Sequence, residues 1–121
     1  MHSKDLKYGS MVKKNEFFKK RLKDVGAKKS CTGFFISVYI LELIINQKLE
    51  IKSFSKSLYP LVAEKFNKHI SCIERDIRTL ISSSWNNNMK NKLSKVANFN
   101  KKPTCRKFIL SMVEYIMLDL K

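Results

Sequence analysis

Between residues 70 and 85 the apolar side chains recur with the period of a helix face. At about 100° per residue, Ile70, Ile73, Ile77, Leu80 and Ile81 fall on one side, and Ser71, Arg75, Arg78 and Ser82 fall on the other. Asn86, Asn87 and Asn88 break the pattern. Upstream, SKSLYPLVAEKF reads as a second short helix, and only Asn67, Lys68 and His69 separate the two. Two short helices across a tight polar turn have the layout of a helix-turn-helix, here about 55–85.

The rest of the chain follows the same period. Three Gly and two Pro in 121 residues argue against an all-β fold with many tight turns. Phe17, Phe18, Arg21, Leu22 and Val25 predict a first helix over 13–25, stopped by Gly26. A second, capped by Ser30 or Thr32, runs to about Asn46; it is apolar nearly all round and is expected at the centre. Ser53 or Ser55 opens the third, which ends near Asn67 and carries Pro60 in its first turns. The fourth spans Ile70 to Trp85, and a short fifth spans Met89 to Ala97. Lys102-Pro103-Thr104 starts the sixth, with Phe108, Ile109, Met112, Ile116 and Leu120 as its apolar stripe. Leu49 to Phe54 is the stretch closest to a strand. Tyr59 and Trp85 are expected in the core. The fold class is all-α, a six-helix domain over 13–121 preceded by a flexible basic leader, 1–12.

Charge narrows the partner. The net charge is +15, with ten Lys/Arg against three acids in residues 1–30 and eight against two in 86–121. Such a field seeks a polyanion, nucleic acid or an anionic membrane surface. Phe34 to Ile45 is too short to span a bilayer and contains Glu42, so a buried helix is expected there and no membrane partner. Three cysteines, Cys31, Cys72 and Cys105, give no disulfide framework and fit a reducing cytosol. His69-x-x-Cys72 lacks a second ligand pair, so no metal is expected. No catalytic constellation or phosphate-cradling loop is present, which argues against an enzyme and against a cofactor.

A recognition helix reads base edges with its N-terminal residues, which makes Ser71, Cys72, Glu74, Arg75 and Arg78 the candidates for base contact. Arg grips guanine bidentately and Glu accepts from cytosine N4. Each has a plainer reading: Glu74 and Arg78 as an i,i+4 ion pair, Ser71-x-x-Glu74 as a capping box, Arg75 as a solvated charge.

At these residues the chain resembles a known family. Leu58-Tyr59-Pro60, Ala63, Lys65-Phe66-Asn67, Glu74-Arg75, Ile77-Arg78, Ile81 and Trp85, with Lys102-Pro103-Thr104 and Phe108-Ile109 further on, are similar to the C-terminal effector domain of the sporulation master regulators. The likeness covers about Val25 to Leu118. It implies a six-helix bacterial cytoplasmic transcription regulator whose fourth helix enters the major groove of double-stranded DNA. The expected target is a box with a TCGAA-like core, bound in tandem copies by a head-to-tail dimer. It implies base contacts by Glu74 and Arg75. Charge and helix-terminus logic add phosphate contacts by Lys68, Lys101, Lys102 and Thr104. The chain departs from the family at Cys72, where an Arg is common, and at Lys68-His69, which replaces a Thr-rich turn. The 24 residues before Val25 are too few for the receiver domain of the full-length regulators, so a receiver-less form is expected. Two other functions fit: a module that pairs with a full-length regulator and antagonises it, and a nonspecific nucleic-acid binder.

Overall fold

Every element among the described residues is helical, and local capping and packing together decide where each helix begins and ends. The computed structural model describes residues 15–49 and 53–120, without the side chains of Asp119 and Leu120. The leader 1–12, residues 13–14 of the expected first helix and half of the strand candidate, 50–52, lie outside them, as does the Leu120 side chain of the last apolar stripe.

Helix α1 covers residues 15–24 and buries Phe18 and Leu22. It stops at Gly26, whose φ of 92° favours glycine. The exit is fastened to the far end of another helix. Ser84 Oγ donates to the Val25 carbonyl at 2.6 Å, and Asn87 Nδ2 donates to the Gly26 carbonyl at 3.2 Å. A Cβ on Gly26 would lie 2.9 Å from the Asn87 carbonyl carbon, so this glycine is required for close approach as well as for its dihedral.

Helix α2, Thr32–Leu41, continues through a π-type turn, Glu42–Asn46. It buries Phe34, Ile36, Val38, Ile40 and Leu41, as a central helix should. Its cap differs from expectation: Cys31 occupies the N-cap without a side-chain bond, and Thr32 is already helical. Just inside this start, Gly33 lies closely against the backbone of Asp76, and the helix begins without a hydroxyl cap. Ser53 does cap the next segment, its Oγ accepting from Lys56 N at 3.2 Å. A π-type turn, Phe54–Leu58, leads into α3, Tyr59–Phe66. Asn67, at φ 52°, ends α3 in the left-handed region.

Helix α4 spans Ile70–Trp85, as the periodicity predicts. Helix α5 is shorter than expected, Met89–Lys92, and tightens into a 3-10 turn, Leu93–Lys95. There Ser94 Oγ donates to the Asn91 carbonyl at 2.7 Å, a local bond that competes with helix propagation. Helix α6, Cys105–Leu120, starts from Thr104, whose Oγ1 accepts from Lys107 N at 3.2 Å. Helices α2, α4 and α6 share one core with α1 and α3; Tyr59 is buried in it and Trp85 packs against its edge.

Candidate nucleic-acid interface

The two faces of α4 divide as its sequence demands. Ile73, Ile77, Leu80 and Ile81 are buried against α2, α3 and α6. Ser71, Glu74, Arg75, Arg78 and Thr79 are exposed, and Cys72 is half-buried on the flank. Ile70, counted with the apolar face, is 40% exposed because it stands at the open end of the turn.

The start of α4 is not the expected capping box. His69 is the N-cap, its Nδ1 accepting from Ser71 N at 3.3 Å and lying 2.9 Å from Ser71 Oγ. Ser71 is therefore the second residue of the helix, two positions past the N-cap that a box with Glu74 would need it to occupy. Glu74 turns instead along the helix, with Oε1 3.9 Å from Arg78 Nη1. An exposed pair at that distance holds weakly and leaves both groups available to a ligand.

Arg75 is 65% exposed, and its Nε lies 3.8 Å from Asp76 Oδ1. Asp76 is only 13% exposed and accepts from Lys68 Nζ at 2.8 Å. Sequence reasoning missed Asp76 and the capping role of His69. The first depends on a contact between turn and helix that no local pattern announces. The second had a signal, a polar residue directly before the apolar run.

Two elements outside the helix-turn-helix brace and border this face. Cys105 Sγ donates to the Glu74 carbonyl at 3.7 Å, which docks the start of α6 on the middle of α4. Tyr59 hydrogen-bonds to Cys105. Burial pushes the Tyr59 phenol far above its ordinary range, with the adjacent Cys105 adding to the shift. Burial also raises the Cys105 thiol, and a neutral contact results between α3, α4 and α6. Ahead of α6, Lys102 Nζ donates to Ser82 Oγ at 3.4 Å, so this lysine borders the outer face of α4. Lys101, Lys102, Thr104 and Lys107 line a shallow depression with Asn98 and Asn100. The structure thus gathers Ser71, Glu74, Arg75 and Arg78 on one exposed face, sets Lys102 beside it, and places Lys68 in the turn.

No described helix is long and apolar enough to cross a membrane. Among the described residues no three His, Cys, Asp or Glu side chains gather as a metal site would require. A family model described as "Sporulation initiation factor Spo0A C terminal" matches residues 18–116, from within α1 to within α6.

Proposed function

The chain belongs to the Spo0A C-terminal family, the DNA-binding domain of a transcription regulator of sporulation, and from that premise we propose that it reads a specific DNA box through the exposed face of α4. The observation that carries this reading is the exposure of Glu74, Arg75 and Arg78 on one face of a helix whose other face is buried. Laid in the major groove, that face presents a carboxylate and two guanidinium groups to base edges, with Ser71 and Cys72 near the helix start. Lys101, Lys102 and Thr104 hold phosphates beside it, and Lys68 is a further cation at the turn. The +15 charge supplies affinity and speed of encounter, and α4 supplies selectivity. Tandem boxes would seat a second copy head to tail, and a related full-length regulator could occupy the neighbouring box.

Replacing Arg75 by alanine tests the assignment. Binding to the family box should weaken, while binding to a box with its guanine substituted should change little, so discrimination falls by about 1–3 kcal/mol. Equal weakening on both duplexes would assign Arg75 to phosphate. Cys72 gives the opposite test. A thiol cannot grip guanine, and position 72 flanks the outer face, so Cys72→Arg is expected to sharpen preference for the guanine-containing box by a similar amount. A folded variant with an unchanged ratio would remove position 72 from the reading surface.

A further inference from the structure

We propose that Asp76 is a positioning residue with two effects on DNA binding: it competes with phosphate for Lys68, which lowers sequence-independent affinity, and it orients Arg75, which sets selectivity. The inference rests on the reading of α4 as the recognition helix. Unlike Glu74, Asp76 is turned away from base edges: it is 13% exposed and within reach of two cations. Its Oδ2 takes Lys68 Nζ at 2.8 Å across the turn. Its Oδ1 stands 3.8 Å from Arg75 Nε.

The two contacts act on different quantities, the first on overall affinity and the second on selectivity. Lys68 would otherwise be a free cation at the edge of the groove, and a free cation binds any duplex equally. Paired with Asp76, it gains less from a phosphate, and sequence-independent affinity is reduced. Arg75 carries five N–H donors in a planar fork. With the Nε edge drawn towards Asp76, the two terminal nitrogens remain for the bidentate grip on guanine.

The test compares wild type with Asp76→Asn, which keeps the shape and removes the charge. Binding is measured on the family box and on a scrambled duplex across a salt series. The scrambled duplex should bind several-fold tighter to the variant, and its salt slope should steepen by about 0.9, the value for one added phosphate contact. The box-to-scrambled ratio should fall about tenfold. Adding Lys68→Gln to Asp76→Asn should return the slope to that of wild type. A charge effect without positioning would raise both affinities equally and leave the ratio unchanged, which overturns the assignment to Arg75. A slope unaltered by Asp76→Asn overturns the assignment to Lys68. If Asp76→Asn does not fold, Lys68→Gln alone decides: a slope shallower by a full phosphate contact would show that Asp76 does not hold Lys68 back. Failure of the underlying reading has a different signature, a wild-type protein that binds box and scrambled DNA equally.

Discussion

Replacing Gly33 by alanine is expected to destabilise the protein by about 3 kcal/mol, the upper part of the range for overpacking a core. In most helix interiors this change stabilises, by roughly 0.5–1 kcal/mol, so the sign itself is diagnostic. A Cβ at position 33 would collide with the Asp76 carbonyl, 2.8 Å from its carbon, and would lie 3.1 Å from Leu80 Cβ. The obstruction is helix backbone, which cannot rotate aside as a side chain would. Ser37, buried one turn further along α2, is also small. The melting temperature should drop by roughly 10–15 °C. DNA binding should weaken with it, because the displaced carbonyl belongs to α4. A variant melting at or above the wild-type temperature would show that α2 and α4 do not approach this closely.

That contact also shows where sequence reasoning stops. The bounds of α4 were legible because five aliphatic side chains share one phase and three asparagines end it. The end of α1 was legible because Gly26 needs a positive φ. The start of α2 was not. Ser30 and Thr32 are good caps in isolation, but Cys31 stands at the cap, and Gly33 just inside it packs closely against α4, a long-range contact that no local pattern announces. The length of α5 was misjudged for a local reason, since the Ser94 hydroxyl bonds to a helix carbonyl and the turn tightens to 3-10.

The exposed face of the candidate site was legible from the same wheel: Ser71, Glu74, Arg75 and Arg78 are where 100° per residue puts them. Their partners were legible only in part. The i,i+4 geometry of Glu74 and Arg78 is local and could be anticipated, although their separation of 3.9 Å makes it a loose pair. Lys68 with Asp76 and Lys102 with Ser82 join residues 8 and 20 positions apart. Such contacts follow from how the turn and the start of α6 lie against α4, which composition and periodicity leave open. The capping box failed on register alone, because His69 precedes Ser71 by two residues and reaches the helix start first.

The largest effect expected of this protein is its preference for one DNA sequence over the rest. A +15 chain binds any duplex at low salt, so affinity for a box proves little. The ratio of affinities proves more, because phosphate contacts cancel in it and only base readout and DNA shape remain. Glu74, Arg75 and Arg78 together offer enough polar contact for the selectivity typical of specific readers, about a thousandfold or more over nonspecific sites. The direct measurement is the dissociation constant of the unmodified protein for a duplex carrying the family box and for a scrambled duplex of equal length and composition, from low to physiological salt. Both affinities should fall as salt rises, with similar slopes, and the ratio should stand at about a thousandfold at physiological salt. Equal affinities that collapse together would contradict a reading helix and leave a protein held to DNA by charge alone.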